Sequence, residues 1–183
     1  MLNGVYTPKE VKHIVQWLEE YNASRAHAKP NTGRYPVQNL LEAIPPLKEL
    51  VFNVKLRTIV QEGMGKKYVL RRATYTEGIG EEASAVYQDV GEASVEVLKS
   101  QYTLRVHLDA VTAEQGALRV YSKSHFDIHD SLAIEAIQLS KSSTCCEVAA
   151  GGIHILKPLS LRKASTHAEG QPPKVIELVV EPR

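Results

Sequence analysis

Cysteine is nearly absent from the 183-residue chain. The two present, Cys145 and Cys146, are adjacent, a spacing that rarely closes a disulfide and fits no common zinc pattern. A reduced, cytoplasmic protein is the expectation. No run of about 18 apolar residues occurs, which argues against a membrane span, and the opening MLNGVYTPKE lacks the apolar core of a secretion signal. Neither sign of charge is in excess, with 22 basic and 21 acidic residues. No global field therefore argues for a nucleic acid or an anionic membrane as partner. Repeats, low-complexity tracts and a domain boundary are also lacking. One domain over residues 1–183 is expected, with a helical layer at 1–65 and a β core at 66–183.

The helical layer is legible from caps and stripes. Thr7-Pro8-Lys9-Glu10 has the form of a capping box with proline at the first helical position. Val11, Ile14, Val15 and Leu18 then share one helix face. Residues 22–34 are polar and broken by Pro30 and Gly33, which predicts a loop. Val37, Leu40, Leu41 and Ile44 form a second stripe. Leu47, Leu50, Val51 and Val54 form a third, which Leu56, Ile59 and Val60 continue or follow with a fourth. Packing against a sheet is the role expected of these helices.

From Lys67 the texture becomes that of short strands: Lys67–Tyr75, Ala83–Val90, Tyr102–Asp109, Ala117–Lys123, Thr144–Ala149, Ile153–Pro158 and Lys174–Val180. A single helical interruption is predicted at Asp130–Leu139, capped by Asp130. Gln101–His125 reads as a strand, a polar turn at Ala113–Gly116 and a second strand, a hairpin. Thr103, Arg105, His107 and Asp109 alternate with Leu104, Val106 and Leu108, so the first strand has two different faces. The last strand is too continuously apolar for a solvated edge, so it is expected to be central or covered, and a homodimer is one way to cover it.

Three segments, VQNLLEAIPPLKELV, TLRVHLDAVTAEQGALRVYSKSH and GGIHILKPLSLRKAS, resemble the phytanoyl-CoA dioxygenase-like branch of the Fe(II)/2-oxoglutarate oxygenases. That resemblance implies a mainly β fold with N-terminal helices, a double-stranded β-helix (jelly roll, cupin-like). It also implies an iron site of His-x-Asp on an early strand and a distant second His, with an Arg beyond it for the 2-oxoglutarate carboxylate. Where the family reads W-H-Q-D this chain has Val86-Tyr87-Gln88-Asp89. The second His falls on Arg162, and near Pro172-Pro173-Lys174 only the cation of Lys174 remains. Two imidazoles and a carboxylate suit Fe(II). Arginine has no lone pair to offer a metal, and a phenol is a poor Fe(II) ligand. The resemblance with these replacements leads to an expectation of no cofactor.

Other candidate ligands have blander roles. His107-x-Asp109 is a literal His-x-Asp, but in the resembled family such a pair belongs to the hairpin beside the true motif, which implies a structural or pocket-lining role. His125-x-Asp127-x-His129 precedes the predicted helix and reads as a turn and cap. His154 and His167 carry no positive signal.

A pocket with Tyr87, Asp89, Arg162 and His107 as catalytic candidates, and Arg105 and Lys174 as binding candidates, has the parts for proton transfer and oxyanion stabilisation on a small organic molecule. An isomerase, cyclase or lyase is one expectation. A non-catalytic binding scaffold, in which Asp89–Arg162 is a structural ion pair, is another. An active Fe(II)/2-oxoglutarate oxygenase with other ligands is the third. Fold alone does not choose among them.

Overall fold

Thr7 and Glu10 close the reciprocal cap. The Thr7 amide donates to Glu10 Oε2 at 2.7 Å, and the Glu10 amide to Thr7 Oγ1 at 3.3 Å. The bond from the Thr7 amide, with others from the Thr7 hydroxyl and Asn53, holds the Glu10 carboxyl below its ordinary range. The computed structural model describes residues 1–28, 37–65, 67–77, 86–90, 93–163 and 173–183. From this cap α1 runs Pro8–Ala28, followed by α2 (Leu40–Ala43), α3 (Leu47–Val51) and α4 (Val54–Met64). The loop expected at 22–34 is corrected at its start: Asn22–Ala28 continues α1, because no backbone breaker occurs before Pro30. Residues 29–34 lie outside the described residues. Val11, Ile14 and Leu18 are buried as their spacing predicted, but Val54 opens α4 at 80% exposure.

The described strands are β1 (Tyr68–Glu77), β2 (Val86–Tyr87), β3 (Tyr102–His107), β4 (Leu118–Tyr121), β5 (Ser143–Cys146), β6 (Ile153–Leu156), β7 (Arg162–Lys163) and β8 (Lys174–Pro182). They form two antiparallel sheets of four, ordered β1-β8-β3-β6 and β2-β7-β4-β5. This is the expected double-stranded β-helix. β8 sits between β1 and β3, so its apolar run is covered within the chain. Ala83–Ala85 of the second expected strand lie outside the described residues.

Three expectations are corrected. The Gln101–His125 hairpin does not exist: β3 pairs with β8 and β6 in one sheet, whereas β4 pairs with β7 and β5 in the other. The polar turn carries the chain across the sandwich, with the Val111–Val148 bridge at the crossing. Two-strand patterning cannot separate a hairpin from such a crossover, since both show alternation on each side of a turn. A further helix, α5 (Val95–Ser100), precedes β3, capped where Ser94 Oγ accepts from the Val97 amide. Its β-branched Val95 and Val97 hid it. The helix at Asp130–Leu139 is found as α6 (Ser131–Ser140), with Asp130 as cap. Finally, Arg162–Lys163 is a strand that was not expected.

Most large apolar residues of the two sheets face outward, although Val175 and Val179 of β8 and Leu118 and Val120 of β4 share the inward face. Ala73, Tyr75, Leu104, Val106, Ile153, Ile176, Leu178 and Val180 pack with α1–α4 in the main core. On the other sheet, Tyr121 and Leu161 pack against Ile137 of α6, with Val86 alongside. Strand alternation then points Arg72, Thr103, Arg105, His107, His154 and Glu177 of the first sheet, and Tyr87 and Arg162 of the second, into the space between the sheets. A β-sandwich ordinarily keeps that space apolar.

Gly151 anchors one end of this space. Its φ is +78°, its amide donates to the His107 carbonyl at 2.8 Å, and its carbonyl accepts from the Tyr6 amide at 2.9 Å. A Cβ there would strike the Tyr6 carbonyl. Gly151→Ala is therefore expected to lower the urea-unfolding free energy by about 2 kcal/mol, whereas Gly63→Ala, with open space around it, is expected to be neutral or stabilising.

Candidate functional site

Arg162 and Tyr87 face each other across the β2–β7 ladder, and the guanidinium lies 5.3 Å from the tyrosine ring centre. The chain after Tyr87 is pinned by its backbone and by Gln88. The Asp89 amide donates to the Pro158 carbonyl at 3.0 Å. Gln88 Nε2 donates to the Asp127 and Leu159 carbonyls, and Gln88 Oε1 accepts from the His129 amide at 2.8 Å. Asp89 is thereby set to meet Arg162, with Arg162 Nη2 to Asp89 Oδ2 at 3.1 Å.

From Asp89 the ion pairs cross to the other sheet. Arg72 Nη2 lies 3.5 Å from Asp89 and 3.7 Å from Glu177, and Arg105 Nε lies 3.8 Å from Glu177. Arg162–Asp89–Arg72–Glu177–Arg105 is one continuous chain of charges between the sheets. Beside its far end, Arg105 is in register with His154. His154 Nδ1 is 3.0 Å from His107 Nε2, the rings edge to face.

The histidine pair has a definite protonic character. Burial first, then His154 and Arg105, pushes the His107 pKa down to about 3. Burial and Arg105 bring His154 to about 4, so both rings are neutral near pH 7. One N–H and one lone pair are used between them. Whichever ring donates, one of the outer nitrogens, His107 Nδ1 or His154 Nε2, carries a proton and the other a lone pair. Both outer nitrogens are buried without a partner.

A pocket of about 160 Å³ reaches this chain from the side, lined by Arg71, Arg72, Asp89, Gln101, Thr103 and Val179 among others.

The candidate residues separate into two groups. Tyr87, Asp89, Arg162, Arg105 and His107 all belong to the inter-sheet space. The structure does not bring Lys174 to them: its Nζ pairs with Glu19 of α1 at 2.9 Å, and its amide donates to Asp109. That bond also occupies Asp109, so His107-x-Asp109 does not converge. His125 packs on Phe126, His129 Nε2 meets the Ser124 carbonyl, and Asp127 pairs with Lys99, a turn-and-cap arrangement. His167 and Pro172 lie outside the described residues. His154, Arg72 and Glu177 were missed. Strand alternation places Glu177 and His154 on definite faces but gives no sign that those faces are enclosed.

No family model matches the chain, and no curated protein matches it. Solved structures do. The non-heme alpha ketoglutarate dependent carbocyclase SnoK of nogalamycin biosynthesis is similar at 14% identity over 99% of this chain and 78% of its own, with a TM-score of 0.77. The epimerase SnoN, in complex with Fe3+, alpha ketoglutarate and nogalamycin RO, is 15% identical over 99% of this chain and 77% of its own, at 0.71. HygX from Streptomyces hygroscopicus, with nickel and 2-oxoglutarate bound, is 16% identical over 99% and 81%, at 0.73. The fold is that of the 2-oxoglutarate-dependent oxygenase-like enzymes. An epimerase and a carbocyclase are among the proteins that share it.

These neighbours correct the expectation of no cofactor: SnoN holds iron with alpha ketoglutarate and HygX nickel with 2-oxoglutarate, so a metal and a keto acid are the cofactors found on this fold. The cluster of Tyr87, Asp89 and Arg162 does not itself fit such a metal. Asp89 is engaged by two guanidinium groups, Arg162 offers no lone pair, and among the described residues no three His, Cys, Asp or Glu side chains gather around one point. Cys145 and Cys146 are free. No described helix is long and apolar enough to cross a membrane.

Proposed function

We propose that the chain is an enzyme of the isomerase or cyclase type acting on a small organic molecule between its two sheets. In this reading it is a diverged relative of the phytanoyl-CoA dioxygenase-like proteins, with Tyr87, Asp89 and Arg162 standing where that family has its iron ligands. The observation that carries it is the polar interior. A fold that could have filled this space with apolar side chains buries Arg162 and Arg105 there, tied to the partly exposed Asp89, Glu177 and Arg72 and flanked by a histidine pair, and buried charges are retained at a cost in stability. The likeness to SnoN and SnoK supports rearrangement chemistry on this fold.

The roles follow from the groups. Asp89, half in the pocket, is the proton acceptor from a carbon beside a carbonyl. The electron pair moves to the carbonyl oxygen, which Arg162 and Arg105 stabilise. The Tyr87 phenol returns a proton at a second carbon or the opposite face, and then recovers one from Asp89. The neutral His107–His154 pair can take a proton at one end and release one at the other.

Solvent exchange tests this. Incubated in D2O with a panel of small keto acids and hydroxy acids, the protein should place deuterium at a carbon of at least one compound. Asp89→Asn should slow that exchange by about 100-fold or more. Binding without exchange favours a second reading, a non-catalytic binding scaffold. One feature speaks for it: at about 160 Å³ the pocket is smaller than the ~300–1,000 Å³ usual for ligand sites, and Arg162 lies close over Tyr87.

A further inference from the structure

We propose that the ligand of this site is a small monocarboxylate whose carboxylate seats on Arg162, the inference resting on the placement of the site between the sheets. Charge comes first. The linked chain contains three guanidinium groups, of Arg72, Arg105 and Arg162, and two carboxylates, of Asp89 and Glu177. The adjoining histidine pair is neutral. Counting Arg72, whose side chain is 43% exposed and partly met by water, the chain of charges carries one positive charge in excess, which a carboxylate in the Arg72-lined pocket lowers.

Hydrogen bonding makes the same demand. Arg162 is 1% exposed and is the largest fully buried side chain among the described residues. Only its Nη2 is engaged by Asp89. Its Nε and Nη1 are buried with no hydrogen-bond partner, as are Arg105 Nε and the Thr103 hydroxyl. An unmet buried donor costs about 1–3 kcal/mol, more when charged. Arg162 Nε and Nη1 lack an acceptor, Arg105 Nε has only Glu177 at 3.8 Å, and the Thr103 hydroxyl lacks any partner. A carboxylate supplies two acceptor oxygens and the missing negative charge, and guanidinium groups bind it with charge-assisted bonds. A neutral carbonyl compound would supply the acceptors and leave the charge.

The route in is the pocket. Thr103, Arg72 and Asp89 line it, and Asp89 joins it to Arg162. Its volume matches about five waters, enough for a carboxylate and a few carbons, with the remainder of a larger ligand outside. Asp89 already has a second partner in Arg72. Swinging toward Arg72 frees the Arg162 donors without leaving the carboxylate unpaired. The binding step therefore exchanges one carboxylate for another on the same guanidinium.

Calorimetry on the full chain at low ionic strength tests this, with pyruvate and benzoate as probes, benzamide as the uncharged counterpart and inorganic phosphate as a second anion. Saturable binding of a carboxylate and none of benzamide is expected. Arg162→Gln should weaken carboxylate binding at least 10-fold. Thr103→Val, which leaves every ion pair in place, should weaken it a few-fold, and Lys174→Gln should leave it unchanged. Thermal melts of each variant report whether it folds. The proposal is overturned if no carboxylate binds, if benzamide binds equally well, if phosphate binds as tightly as the carboxylates, or if a folded Arg162→Gln protein binds normally. Its failure is separable from that of the enzyme reading. Carboxylate binding without deuterium exchange removes the enzyme and keeps the site, whereas exchange into uncharged ketones alone does the reverse.

Discussion

Asp89→Ala is expected to lower the unfolding free energy by about 3 kcal/mol, while Asp89→Ala/Arg162→Leu recovers most of that loss. The asymmetry comes from burial. Removing Asp89 leaves Arg162, almost wholly enclosed, with no counter-charge and no hydrogen-bond acceptor, and breaking a buried pair from one side typically costs about 3–5 kcal/mol. The lower end applies because the Asp89 side chain is itself 27% exposed. Arg162→Leu alone should cost much less, since Asp89 keeps Arg72 and some water. Urea titrations of the four proteins form a double-mutant cycle that isolates the coupling. A loss below about 1 kcal/mol for Asp89→Ala is what a solvated surface pair gives, and it would remove the enclosed charge chain from the account.

Acid should destabilise the fold through His107 and His154. Unfolded imidazoles titrate near 6.5, whereas burial holds the native rings at about 3 and about 4. Between those values the unfolded chain binds more protons than the native one. Stability therefore rises with pH through this window, is fully present above about pH 6.5, and is lost as pH falls toward 4. The contribution is on the order of 3 kcal/mol for each ring between pH 7 and pH 4. Carboxylates such as Glu10, also held low by its cap, add their own slope at the acid end. The test is thus the difference between the parent and His107→Leu/His154→Leu. The variant should show a much shallower fall between pH 6.5 and 4.5. Parallel curves would mean that the two rings are protonated in the native state.

Much of this architecture was legible because it rests on local chemistry. The Thr7–Glu10 box, the Val11–Leu18 stripe and the Asp130 cap each depend on neighbours within a turn or two. The strand positions follow from turns and β-branched runs. The pairing was not legible: β3 and β4 look like a hairpin until the ladders show each joined to strands far along the chain. The polar face of β3 was legible as a face, with Thr103, Arg105 and His107 in alternation. What could not be read was that this face is enclosed, since alternation with polar residues is also the pattern of a solvated strand. Enclosure depends on a second sheet, and on Arg162, which lies in a two-residue strand too short to carry any periodicity. The resemblance placed Tyr87, Asp89 and Arg162 together. Arg72 and Glu177, which tie that cluster to the other sheet, sit on strands whose sequence suggests only packing. Lys174 shows the reverse failure, an apparently spare cation that is committed to Glu19 on the helical side.

Under the proposed function, small organic molecules are handled between the two sheets, at Arg162. The most direct measurement is a crystal structure grown with 4-bromobenzoate, with the bromine located by its anomalous signal. A bromine is expected at the mouth of the Asp89–Thr103 pocket, with the carboxylate about 3 Å from Arg162 nitrogens and Asp89 turned toward Arg72. Bromine sites found only on the outer surface, with Arg162 and Asp89 still paired and the interior unchanged, would contradict it.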